Sequence, residues 1–130
     1  MSNSTDNIAY PSAYGNVSVD LAAPGFNVTT TDNNGLIVNN ANGTSFAAPY
    51  VTGVAALLLS YNPNLTTAQL KYAIMDSVDI VSNLQGQLVT GGRLNAYNAL
   101  NYVSSGSKVR NYVIRNEVSS SFATSQFTYM

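Results

Sequence analysis

Residues 44–60, TSFAAPYVTGVAALLLS, constrain this chain more than any other stretch. None of them is charged. Ala47, Ala48, Val51, Val54, Ala55, Ala56, Leu57, Leu58 and Leu59 form the clearest helix in the sequence and leave it no polar face. A helix apolar all round belongs in the middle of a larger structure. Residues 1–103 by themselves are expected to be too few to cover it, so the isolated chain is expected to be poorly soluble or oligomeric. Thr44 or Ser45 is the natural N-cap. Pro49 is expected in the first turn, where a missing N–H costs little. Gly53 lowers helix propensity, yet lets a neighbouring element come close.

The pattern on either side is mixed. Residues 1–17 are polar and turn-rich. SVDLAA, Ser18 to Ala23, reads as a short strand that stops at Pro24-Gly25. Two β-prone runs, 26–30 and 36–39, flank Asp32-Asn33-Asn34-Gly35, a hairpin signal because Asn and Gly tolerate positive φ. After a break at Tyr61-Asn62-Pro63-Asn64, Thr66 and Gln69 have capping-box spacing. The helix that follows, 67–77, places Leu70, Ala73 and Ile74 on one face. Residues 79–92 read as loop, with a short strand near 87–90. Asn95 caps a last helix over 96–103, with Leu100 and Val103 facing inward. From Ser104 the chain is Ser-rich, with VRNYVIRNEV as a lone strand and a loose end after it.

Composition excludes several functions. Charged residues are 8% of the chain, against roughly 25% in ordinary soluble domains, and the net charge is −1. No basic face is available for nucleic acid. There is no cysteine for disulfides or thiolate metal sites, and without histidine a zinc enzyme is disfavoured as well. The N-terminal MSNSTDNIAY has neither the basic nor the apolar region of a signal peptide. The run VTGVAALLLS is expected to be too short and too interrupted by Thr and Gly to cross a bilayer.

The chemistry concentrates at Ser45. A serine at a helix start meets free backbone N–H groups and the positive end of the helix dipole. An acyl-transfer nucleophile uses both, because its tetrahedral intermediate carries an oxyanion. Gly43 permits close approach of a substrate backbone, and the small Ala47 and Ala48 keep the site open. Against this stands plain capping, which most such Ser and Thr residues do without chemistry. Asp20 reads as a strand-end carboxylate bonded to nearby backbone, with calcium as the alternative. Arg93 reads as a structural arginine beside a helix start, with anion binding as the alternative. Tyr50, with an ordinary pKa of ~10, reads as a packed ring rather than a base. Asn-x-Ser/Thr sequons begin at Asn3, Asn16, Asn27, Asn42 and Asn64, a number that chance supplies in an Asn-rich chain.

GTSFAAPYVTGVAALLLSYNPNLTTAQLKYAI resembles the nucleophile segment of the subtilisin-like serine peptidases, the subtilases, whose usual form is G-T-S-M-A-x-P-H-V-x-G before an Ala/Leu-rich helix. SVDLAAPG is similar to the strand and turn ahead of that nucleophile, and GGRLNAYNAL to the segment that closes the catalytic domain. The three occur in the right order over residues 18–103. The resemblance implies an α/β fold, the C-terminal portion of a subtilisin-like parallel-sheet domain with a hairpin and a central buried helix. It implies residues 1–103 as that portion and 104–130 as a tail or the start of a further β segment. Ser45 then corresponds to the catalytic nucleophile, with its own N–H as one oxyanion donor. Thr44 and Gly43 line the site, and Asn42 lies toward the leaving-group side. Calcium enters only by resemblance, near Asp20, and an extracellular parent likewise.

The departures bear on activity. In this family an Asp, a His and an oxyanion Asn precede the serine, well upstream. This sequence has no histidine, and Tyr50 and Phe46 replace a His and a Met that are not the catalytic base. The expectation is a C-terminal fragment of a serine endopeptidase, inactive alone, whose polypeptide substrate and missing N-terminal half belong to the full-length enzyme. The alternative is a non-catalytic binding or assembly module, or a pseudoenzyme, that pairs with another chain.

Overall fold

The computed structural model describes residues 1–106; the expected 109–118 strand and the tail beyond it lie outside the described residues. The chain runs β1 (Val28–Thr31), β2 (Ile37–Ala41), α1 (Thr44–Tyr61), α2 (Thr67–Met75), β3 (Asp79–Ile80), a 3₁₀ turn (Ser82–Leu84), β4 (Gly92–Arg93) and α3 (Ala96–Ser104).

The three helices make the main core. Val54 and Leu58 of α1 meet Leu70, Ala73 and Ile74 of α2 and Ala99 of α3. The α2 start carries the full capping box: Thr66 Oγ1 accepts from the Gln69 N–H at 3.3 Å, and Gln69 Oε1 accepts from the Thr66 N–H at 2.9 Å. It ends two residues before the sequence pattern suggests, at Asp76, and the buried Ser77 hydroxyl donates to the Ile74 carbonyl at 3.1 Å. At α3, Asn95 Oδ1 accepts from the Asn98 N–H at 2.9 Å, as its cap position requires.

The hairpin forms where the sequence places it. β1 and β2 are antiparallel, with Thr31 opposite Ile37, Thr30 opposite Val38 and a bulge before Val28 meets Ala41. Asp32 sets the turn by accepting N–H bonds from Asn34 (2.8 Å) and Leu36 (2.9 Å), which holds its carboxyl below the usual range. Gly35 follows at φ 77°.

The parallel sheet survives as bridges. Residues 18–23 do not form a strand: single parallel bridges join Ser2 to Pro24, Ala22 to Arg93 and Gly15 to Leu88. Ala22 donates to the Gly92 carbonyl at 2.9 Å and accepts from the Leu94 N–H at 2.8 Å, so the segment is extended but has too few aligned neighbours to ladder. The described residues therefore make a partial α/β domain: helices, two small antiparallel pairs and traces of a parallel layer.

Helix α1 departs from its sequence reading in three ways. It begins after Gly43, which is its N-cap, so neither Thr44 nor Ser45 caps it. Pro49 is its sixth residue, in the second turn; the missing N–H lies opposite the Ser45 carbonyl rather than among the free first-turn donors. With 18 residues it is also longer than the ten-residue apolar run, because the TSFAAPY segment continues it, and by length and composition alone it could cross a bilayer. Its packing against α2 and α3 is that of a core helix. Only Ala47, Val54 and Leu58 are buried, however. The chain does not cover this helix, as its apolar circumference led us to expect.

Candidate active site

Two turns bring the site together. The Gly43 N–H donates to the Gly25 carbonyl at 2.8 Å, which ties the residue before α1 to the Ala-Pro-Gly turn. A Cβ on Gly25 would lie 2.8 Å from the Gly43 oxygen and 3.0 Å from the Ala47 Cβ, so only glycine allows this approach. Asn42 is fixed from the hairpin side. Its Oδ1 accepts from the Asn27 N–H at 2.6 Å, and its Nδ2 donates to the Asn40 carbonyl at 3.1 Å. Asn27 and Asn40 stand at φ 60° and 63°, the left-handed region that Asn tolerates best among residues with a side chain.

Ser45 is the second residue of α1 and is exposed, as are Thr44 and Asn42. Among the described residues its hydroxyl has no hydrogen-bond partner, and the N–H groups of Thr44 and Ser45 have none either. The first acceptor bond of the turn goes from the Phe46 N–H to the Gly43 carbonyl at 3.0 Å. Two backbone donors and a free hydroxyl therefore sit at the positive end of an 18-residue helix. No acidic residue stands in its first turn. Gly43 also makes room for the serine: a Cβ there would lie 3.0 Å from Ser45 Oγ and 3.3 Å from the Phe46 ring. Such a site can present a nucleophile and stabilise an oxyanion. It has no base of its own, since the chain holds no histidine.

Beside Thr44 opens an apolar cavity of about 280 Å³, walled by Met1, Ala13, Val19, Leu21, Ala48 and Val51 among others. Tyr50, one turn on, is 46% exposed and lies on the outside of α1 rather than in a packed position.

The other candidates are structural. The Asp20 carboxylate pairs with Lys71 of α2 at 2.9 Å, and its carbonyl accepts from the Thr90 hydroxyl at 2.8 Å. An ammonium at that carboxylate, with no cluster of three acidic or thiolate side chains among the described residues, does not fit calcium. Arg93 joins three distant parts of the chain. Its Nη1 donates to both oxygens of Asp6 (2.7 and 2.8 Å) and its Nη2 to Asp79 (2.9 Å). Asp79 also accepts from Asn95 and Asn98 at the start of α3. The hydrogen bonds from Asn95 and then Arg93 hold the Asp79 carboxyl below the usual range, and Asp79 chiefly keeps the Arg93 guanidinium above its own.

Sequence reasoning missed Gly25 and Asn27 as supports of the site. The only signal for Gly25 was the Ala-Pro-Gly turn itself. Asn27 carried none, because its role depends on Asn42 folding back across the hairpin.

The subtilase family model matches residues 2–117 of this chain. Subtilisin-like protease 1 of Plasmodium berghei (strain Anka) is 35% identical over 104 residues, 79% of this chain and 17% of that protein. The subtilase cytotoxin protease-like chain of Escherichia coli is 37% identical over 89 residues, 68% of this chain and 25% of that protein. Among solved structures, one of the subtilase cytotoxin assembly is similar with a TM-score of 0.65 at 31% identity, covering 80% of this chain and 33% of the other. The A-subunit of the E. coli AB5 toxin gives 0.62 at 35% identity, covering 68% and 28%. The chain thus spans a quarter or less of these two curated relatives.

Proposed function

This chain belongs to the subtilase family, and from that premise we propose that it is the nucleophile-bearing part of a subtilisin-like serine endopeptidase domain, with Ser45 as the nucleophile. One observation carries the reading: the Ser45 hydroxyl is exposed and unpartnered at a helix start whose own N–H donors are also free.

In this reading Ser45 Oγ attacks a peptide carbonyl. A histidine from outside these residues takes the hydroxyl proton, and an aspartate holds that histidine in the correct tautomer. The Ser45 N–H donates to the oxyanion, helped by the α1 dipole. Collapse of the intermediate breaks the C–N bond, and the histidine returns the proton to the leaving amine. Water then cleaves the acyl-enzyme and frees Ser45. Thr44 and Gly43 line the approach, and Asn42, held by Asn27, stands toward the leaving group. With base, aspartate and oxyanion Asn absent, hydrolysis by this chain alone is at background, since triad members act as a unit.

The test is reconstitution. The part of the E. coli relative that precedes its matched segment is mixed with this chain, and hydrolysis of an unfolded protein substrate is followed. Ser45-dependent hydrolysis above either part alone supports the reading. Binding without hydrolysis favours the alternative, a non-catalytic module that pairs with another chain. We further propose a parent protein that works outside the cell, in keeping with the cytotoxin found in its family. Finding the protein only in washed cells and never in medium would refute that.

A further inference from the structure

Helix α1 carries a glycine that nothing in this chain explains. Glycine inside a helix costs about 1 kcal/mol relative to alanine, and it is tolerated where a neighbour needs the space. Gly25 and Gly43 have such neighbours. Gly53 does not: a Cβ there would meet nothing within 4 Å among the described residues.

Gly53 sits in an apolar stripe. Phe46, Tyr50, Gly53, Leu57 and Tyr61 follow one another at helical spacing on the side turned away from Val54 and Leu58. Tyr50, Leu57 and Tyr61 are 46%, 42% and 57% exposed. Large apolar side chains above and below a bare glycine form the shape of a helix that another element crosses closely.

We propose that the upstream part of the catalytic domain crosses α1 at Gly53, packing uncharged aliphatic and aromatic side chains on Tyr50, Leu57 and Tyr61. This rests on the reading above. The occupant follows from how much chain is absent. This chain covers only 28% and 33% of the two solved relatives it resembles, so most of that domain lies outside it. No residue from Thr44 to Tyr61 is charged, so the contact is apolar and insensitive to ionic strength.

The experiment uses the whole chain, with and without residues 107–130, as wild type, Gly53→Ala and Gly53→Leu. The probe is the upstream part of the E. coli relative, titrated by fluorescence anisotropy at low and high salt. Melting of each variant alone is measured beside it. We expect Gly53→Ala to melt higher than wild type alone, and Gly53→Leu not to unfold the chain. We expect Kd for the upstream part to rise modestly for Ala and by about tenfold or more for Leu, with little salt dependence. Equal affinity of wild type and Gly53→Leu overturns the crossing while leaving the Ser45 reading intact. No binding by wild type overturns both. Three other outcomes overturn the proposed occupant. A dimer abolished by Gly53→Leu assigns the stripe to a second copy. Loss of chain stability in Gly53→Leu only when 107–130 are present assigns it to this chain's own C-terminal residues. Preference for phosphatidylcholine vesicles over the upstream part assigns it to lipid.

Discussion

Gly43 donates its N–H to the carbonyl of Gly25 at 2.8 Å, and that bond places the start of α1, and with it Ser45, against the turn that ends the preceding extended segment. The two glycines work as a pair. One gives the donor and leaves room for the serine hydroxyl, and the other lets the two backbones touch.

Gly25→Ala should therefore harm the chain more than its size suggests. The new methyl would sit 2.6 Å from the Met1 Cβ, 2.8 Å from the Gly43 carbonyl and 3.0 Å from the Ala47 Cβ. Two of these three atoms cannot swing aside, being backbone or a helix Cβ. We expect a loss of about 1–3 kcal/mol in urea unfolding. A loss within error would show that the turn and α1 are not held this close.

Ser45→Ala separates a nucleophile from a cap. A capping serine replaced by alanine costs about 1 kcal/mol. Ser45 is exposed, Gly43 holds the cap position, and the hydroxyl has no partner among the described residues. The variant should unfold within about 0.5 kcal/mol of wild type. Thr66→Ala is the matched control. Thr66 does cap, through Gln69, and its loss should cost about 1 kcal/mol.

Arg93→Ala should loosen three segments together, since Arg93 alone joins Asp6 to Asp79. These side chains are about one-third exposed, so solvent weakens the pairing, and about 1 kcal/mol is the expected loss. Hydrogen exchange should rise first near Asp6 and at the start of α3. Arg93→Lys should recover only part of the loss, because lysine cannot hold both carboxylates in a fixed fork.

Acid should act through Asp79. Its folded pKa is depressed by Asn95 and then Arg93, so its stabilising contribution is complete above the ordinary carboxylate pKa. That contribution is lost as pH falls from there through the lower folded value. Asp32 is shifted in the same direction by the Leu36 and Asn34 N–H groups. Melting temperature should fall below about pH 4, and Asp79→Asn should flatten that limb without abolishing it. An acid limb of unchanged slope in the variant would rule out Asp79 as a source.

Local signals were legible in the sequence where the interaction is local. The Thr66–Gln69 box, the Asn95 cap and the Asp32–Gly35 turn each need only neighbours within four residues, and all three stand where the sequence places them. The start of α1 was misread because Gly43 is selected by Gly25, eighteen positions away, and not by the helix. The strand at 18–23 was misread because alternation describes a face and not the neighbours a ladder needs. Arg93 was recognised as structural, but Asp6 and Asp79 as its partners were not, since their separation in sequence leaves no pattern.

The most direct test of Ser45 as a nucleophile is its reaction with a fluorophosphonate, read by intact mass and peptide mapping. This chain alone, and this chain with the upstream part of the E. coli relative, are treated side by side. The account predicts a single phosphonyl adduct on Ser45 in the mixture, little or none on the chain alone, and none in Ser45→Ala. An adduct elsewhere in the chain, or no adduct on Ser45 once the two parts have bound, would contradict it.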